Sequence, residues 1–427
     1  MKKTFLIILL IAANTVCLAQ VAIDSNWSED VKSVYLNSLS NEQDPPYIRM
    51  GQFGEPTQQL LLRFDILSPQ PEHLRYRIHH CDAEWHSDDL EDSEFFSGPV
   101  DGSINNYQSS FTTLIEYTNY YQPIPEESGY FMASGNYLLE VYPADNPDSI
   151  ILTRRFYVFE ELVDIDMEPN KPSGAYGNIN RDQEVDIRIT PRRGSYLPLH
   201  GEYYHVVLQQ NRREDLKRNL GPCVYSGSSM EYKWQAANVF PGGNHFRYFD
   251  LSNLWAAMYH VQRIEQWGGE NFAFLQPEED RSRKVYTQYN SLNGGMKTNI
   301  RERRNPHIEA DYVWVNFSLP MERPFLNGSV HIIGDLTLGR LNDESRMEWN
   351  AQYKAYTKRL LLKQGYYSYQ LLFLPAGNQS EKGEALTATL EGDHFVMPNN
   401  YTAYIYYRSP GSRYDRLVGL RSIVFNY

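Results

Sequence analysis

Three histidines and a cysteine fall within eight residues, at His79, His80, Cys81 and His86, and form the one cluster of nitrogen and sulfur donors in the sequence. A structural zinc site needs four such donors converging on one point. The run LRYRIHHC at 74–81 has strand composition, and along a strand successive side chains point to opposite faces. His79 and Cys81 then share one face and His80 and Asp82 the other, so the donors diverge. What remains is a packed strand end with Trp85 as its anchor and no bound metal. The acids that follow, Asp88, Asp89, Glu91, Asp92 and Glu94, lack the glycine and terminal glutamate of a calcium-binding EF-hand loop. They read as a solvated loop.

Other chemistry leaves no trace. Beyond residue 19 there is no G-x-S-x-G, no phosphate-binding glycine loop and no H-E-x-x-H. Carboxylates are abundant, but a glycosidase needs one in an apolar pocket and a second at a fixed distance. Nothing isolates such a pair. The sequence therefore implies no enzyme, no cofactor and no catalytic residue. Cys81 and Cys223 fall in separate modules, so they read as small apolar thiols rather than a bridge.

The elements that would hold these residues are strands. Tyr137, Leu139 and Val141 alternate with Leu138, Glu140 and Tyr142, the period of a half-buried strand. Gly135-Asn136 reads as the turn into it, and 145–148 (DNPD) as the turn to a return strand at 150–159. Residues 31–36 and 60–67 add two more strands. A proline-rich run at 168–174 reads as a linker. After it Val185, Ile187 and Ile189 oppose Asp186, Arg188 and Thr190, and 203–209 and 245–251 continue as strands. Past the basic run at 301–306, Val313, Val315, Phe317 and Leu319 share one face, and strands follow at 330–336, 360–362, 366–374, 401–408 and 417–425. No long segment of helical period occurs. The expected fold is all-β, with tandem antiparallel immunoglobulin-like sandwiches at 20–162, 163–306 and 307–427.

Lys2-Lys3, the apolar run 5–13 and Ala19 before Gln20 make 1–19 an export signal. The mature chain is expected to be exported. A formal charge of −13 argues against nucleic acid as a partner. No apolar run is long enough for a spanning helix. The aromatic end of the chain, Phe425 and Tyr427, suits an outer-membrane barrel, but Arg421 breaks the alternation and the strands lack a lipid-facing row. Aromatics make up 14% of the chain, with 33 tyrosines, which favours strands and broad contact surfaces.

Several of these runs together resemble the plug protein family of the type IX (type 9) secretion system. In the first module the likeness rests on His80, Cys81, Trp85, Tyr117, Tyr120, Gly135, Asn136, Tyr137, Arg155 and Phe156. In the second it rests on Gly243, Asn244, Phe246, Arg247 and Tyr248. In the third it rests on Gly365, Tyr366, Asn400, Tyr401, Tyr407 and Arg408. His245 departs from the acid expected in GGNHFRYFD. The resemblance implies a non-catalytic periplasmic plug whose partner is the large translocon barrel of the outer membrane, which it closes from below. The motif residues would be structural or partner-binding. A second, weaker resemblance links the third module, through its order of strand, Gly334-Asp335, charged hairpin and the run LLLKQGYYSYQLLF at 360–373, to early-set sandwiches that serve as glycan-binding modules, which leaves an exported glycan-binding protein as the alternative. The tryptophan those modules place after Gly334-Asp335 is replaced by Leu336, Leu338 and Leu341.

Overall fold

The computed structural model describes residues 21–51, 58–126, 129–173, 175–289, 291–301, 305–378 and 384–425. The export signal lies outside the described residues. The chain is all-β, built from mainly antiparallel sheets around three principal cores.

In the first body one sheet runs Ser25–Asn26, Leu152–Phe159, Gly135–Pro143, Leu74–Cys81, Asp101–Ile104. Its partner sheet runs Val31–Ser38, Leu60–Ile66, Thr118–Ile124, Tyr107–Ser109. The expected alternation is present: Tyr137, Leu139 and Val141 are fully buried while Leu138 and Glu140 are half-buried. Each such fully buried apolar side chain stabilises the sandwich by roughly 1.5–3 kcal/mol relative to exposure. Gly135-Asn136 belongs to the strand itself rather than to a turn before it.

The second body pairs Val163–Asn170 with Asp182–Pro191, and then Ser229–Tyr232 with Val224–Ser226. The first three residues of the expected linker at 168–174 thus belong to the strand, and Pro169 is accommodated because it lies on an edge strand, where no outward N–H is needed. Facing it is the sheet Lys217–Asn219, Tyr204–Gln210, Asn400–Tyr407, Arg416–Val424. The third body is a nine-stranded sheet that starts at Arg247–Asp250 and includes Tyr312–Pro320, Ala355–Lys363 and Gly365–Pro375. Eight of its strands contribute to one core, so the sheet is curled around it.

The linear division at 163–306 and 307–427 is therefore corrected. Strands from 247 to 275 build the third body, and the last two strands of the chain return to the second. The third body is inserted into the second. Residues at 400–424 close the second core because Tyr401, Ala403 and Ile405 alternate inward against Val206 and Leu208.

Candidate functional site

The residues singled out in the sequence do not gather at one cleft. They line the seams of the molecule and the cores beside them, beginning with the histidine run. His79 and His80 leave opposite faces of Leu74–Cys81. His79 meets Glu140 at 2.9 Å, while His80 is buried against Tyr137 and Tyr414. The ring of His80 binds the Asp88 carboxylate through Nδ1 and the Ser134 carbonyl through Nε2. Asp88 is not a solvated loop acid: its side chain is only 7% exposed. Gly135, at φ 149°, lies so close that a Cβ there would stand 2.5 Å from His80 Nε2. Among the described residues no group of three or more His, Cys, Asp or Glu could hold a metal ion. Cys81 is buried, and burial pushes its thiol up to about 12; it and Cys223 are both free.

Trp85 heads the seam between the first and second bodies. Its ring packs edge-on against Tyr157, which stacks on Tyr404 at 4.7 Å. Arg155 lies 4.8 Å above Trp85 and pairs with Asp24 and with Glu214 of the second body, the latter at 3.0 Å. Lys217 sits over the same three rings, and burial draws it down to about 8 despite Glu214. Burial opposes the charge on Glu214, but Arg155 and Lys217 outweigh that and hold its carboxyl at about 2. Asn136 bridges the same seam: its Nδ2 donates to the Asp82 carbonyl and its Oδ1 accepts from Tyr406 Oη, both at 2.7 Å.

A second seam joins the first body to the third. Tyr117, fully buried, donates to the Ala310 carbonyl at 2.7 Å, and its ring packs edge-on against Tyr312. Lys363 lies 4.1 Å above the Tyr117 ring. Its ammonium pairs with Asp65 at 2.6 Å and also donates to the His307 carbonyl. Asp65, with no exposed surface, accepts further bonds from Tyr312 Oη and Asn119 Nδ2. Burial lowers the pKa of Lys363, and Asp65 opposes that drop.

The third seam, between second and third bodies, is centred on Glu391. Arg247 and Arg281 both bind its carboxylate, and Leu371 N–H donates to Oε1 at 2.7 Å. Burial would raise Glu391, yet the two guanidiniums keep it below the ordinary range. Both its oxygens are committed to hydrogen bonds. Asn244 donates to the Glu391 carbonyl, and Gly243, at φ 65°, donates its N–H to Asp393. His245, the departure from the expected acid, is buried with Nε2 at 2.6 Å from Tyr286 Oη.

The remaining motif residues pack locally. Tyr120 stacks on Phe64 and Tyr137 on Phe156. Phe246 lies under Gly294, and Tyr248 stacks on Tyr366. A Cβ on Gly365 would stand 2.3 Å from the Lys297 carbonyl. Asn400 N–H donates to Asn211, Tyr401 Oη to Gln183, and Tyr407 packs against Tyr204. Arg408 is half-exposed, 3.6 Å from Asp415. Sequence reasoning missed Asp65, Lys363, Glu214, Lys217 and Arg281. The only signal was a charge set into an apolar strand run, as in LLLRFDI and LLLK.

Residues 31–160, the first body, match the family model of the type 9 secretion system plug protein 1st domain. This match supports the type 9 secretion system plug family for the chain. No curated protein matches it. Among solved structures it is similar to a hypothetical protein from Parabacteroides merdae, with 28% identity and a TM-score of 0.89. That likeness covers 95% of this chain and all of the other, so the arrangement of three bodies recurs there as a whole. Within the described residues no helix is long and apolar enough to cross a membrane.

Proposed function

We propose that this plug-family protein is the periplasmic stopper of a type 9 secretion translocon, closing the outer-membrane barrel from below without catalysis. The match of the first body to the plug family's first domain supports a role in that secretion system. The observation that carries the stopper reading is the way its seams are built. Domains joined by ordinary polar interfaces move relative to one another by default. Here the seams are closed by buried ion pairs, Lys363 with Asp65 and Glu391 with Arg247, and by the Trp85, Tyr157 and Tyr404 stack. Such a body resists deformation, as an object must that seals an opening by its shape. Its motif residues serve this rigidity and are structural, leaving the exposed surface to meet the barrel.

The test is genetic. Deleting the gene should let large polar antibiotics cross the outer membrane while cargo export continues. The leak should vanish when the barrel is deleted as well, because the protein can close only a hole that another protein makes. A deletion strain as impermeable as its parent, with the barrel present and cargo still secreted, would refute the stopper reading.

A further inference from the structure

The three bodies meet around a cavity of about 280 Å³. The first body lines it with strand residues of Val31–Ser38, the second with the turn at 211–214, and the third with the turns at 292–296 and 333–339. Val34, Leu36, Phe246, Met296, Ile333 and Leu338 give it apolar surface. Four arginines reach it as well, Arg154, Arg155, Arg212 and Arg213. Two of these are committed. Arg155 pairs with Asp24 and Glu214, and Arg213 with Asp215. Glu42, on the same wall, is held below its ordinary range by His307, with Arg63 and Lys297 adding to the effect.

Arg154 is different. It is 6% exposed, and it donates to the Ser25 and Thr153 carbonyls through Nη1 and to the Asn26 amide oxygen through Nη2. No carboxylate is among these acceptors, and Asp24 and Glu344 act on it only at a distance. Its Nε–H and one Nη2 N–H are left without an acceptor among the described residues. Elsewhere in the molecule the same two nitrogens grip a carboxylate side-on, Arg213 on Asp215 and Arg247 on Glu391. A buried charge is costly unless it is paired, and burial draws Arg154 down to about 10. Arg212 stands on a turn in which Asn211 and Arg212 both take left-handed backbone angles, φ 50° and 56°. Two hydrogen bonds between Asn211 and Asn400 hold that turn. Such strain, held in place by its surroundings, gathers at ligand sites. Among the described residues the one ion pair of Arg212 is with Asp335 at 3.7 Å, beyond hydrogen-bond distance. With Arg155 and Lys217 set against Asp24 and Glu214, Arg213 against Asp215 and Arg212 against Asp335, one negative charge is missing, and it is missing at Arg154.

We infer that this cavity is a binding site for a small molecule that carries one carboxylate on an apolar body. The carboxylate takes the unused Nε and Nη2 donors of Arg154, the bidentate geometry that a guanidinium offers an oxyanion. Arg212 adds further donors on the same cavity, and the apolar body packs against Leu36, Phe246 and Leu338. Inorganic phosphate fits less well, because it brings more charge than is missing and has no apolar part for those walls. Since the walls come from all three bodies, the bound ligand ties them together. The site stands apart from the stopper reading, since it lies within the folded chain and requires no barrel.

The probes are hexanoate, benzoate and phenylbutyrate, compared with their uncharged amides and with inorganic phosphate, each added to the full mature chain. The expected result is a rise in melting temperature with at least one carboxylate and none with its amide, because a ligand that binds only the folded state stabilises it. That carboxylate should slow amide hydrogen exchange together at 34–36, 211–213 and 292–296, one segment from each body. Its affinity, measured by isothermal titration calorimetry, should fall about tenfold or more in Arg154→Met, which removes charge-assisted hydrogen bonds. Arg212→Ala, at a half-exposed side chain, should keep the circular dichroism spectrum of the parent and also weaken binding. It decides the matter if Arg154→Met does not fold. No rise with any of the three carboxylates, equal rises with acid and amide, protection confined to other segments, or unchanged affinity in Arg212→Ala would each overturn the inference. So would a response to phosphate alone, which would give the cavity to an inorganic oxyanion.

Discussion

Replacing Lys363 with methionine tests the seam between the first and third bodies. The ammonium and the Asp65 carboxylate stand 2.6 Å apart, and both side chains have almost no exposed surface. At an effective dielectric of about 20, two such charges attract by roughly 6 kcal/mol. Desolvation costs several kcal/mol for each ion, so the intact pair adds little net stability. Breaking it is another matter. In Lys363→Met the Asp65 carboxylate stays buried with only Tyr312 Oη and Asn119 Nδ2 to serve it. The expected loss is about 3–5 kcal/mol. The methionine also forfeits the cation above the Tyr117 ring and the bond to the His307 carbonyl. Equilibrium urea unfolding, followed by tryptophan fluorescence and by circular dichroism, measures the loss. Adding Asp65→Asn removes the stranded charge while keeping an acceptor for Tyr312, and should recover about 1–3 kcal/mol. A Lys363→Met protein within about 1 kcal/mol of the parent, or a double variant no more stable than the single, would refute the reasoning that this seam rests on a charge balance.

Trp85→Ala should cost about 3–5 kcal/mol, since the ring is 3% exposed and carries Tyr157 and Arg155; a urea midpoint close to that of the parent would contradict its place in the seam. Asp88→Ala should cost about 1–3 kcal/mol by leaving buried His80 without its carboxylate, whereas Asp89→Ala, at an exposed neighbour, should stay within about 0.5 kcal/mol. Equal melting shifts for the two would return Asp88 to the solvated loop. Glu214 has a folded pKa of about 2 against 4.5 for the ordinary group. Its contribution is therefore complete above about pH 4.5 and lost as pH falls toward 2. The stability gap between parent and Glu214→Gln should narrow across that window, and a gap that stays constant from pH 7 to pH 3 would rule the ion cluster out as the cause.

Strand identity was legible before any coordinates. The alternations at 137–142, 185–190 and 313–319 each bury the expected face. They are legible because a period of two depends only on neighbours along the chain. The divergence of His79 and His80 followed from the same rule. The Asp88 loop misled because a run of acids looks alike whether all of it meets water or one member turns inward to a histidine eight residues earlier. The motif residues carried the family likeness, but nothing local said that Trp85, Tyr117, Asn136 and Arg247 would serve seams.

By itself the sequence determined an all-β chain, its likeness to a family and the inward face of most strands, since composition and alternation are properties of short segments. Only the tertiary structure decided which sheet a strand joins. Asn400–Tyr407 is as apolar as a third-body strand would be, yet it pairs with Tyr204–Gln210, nearly two hundred residues earlier. The tertiary structure alone also brought Asp65 to Lys363, 298 residues away. A charge in an apolar strand run is costly to bury on either side alone. Its meaning lies in the partner, and the partner is chosen by how whole bodies pack.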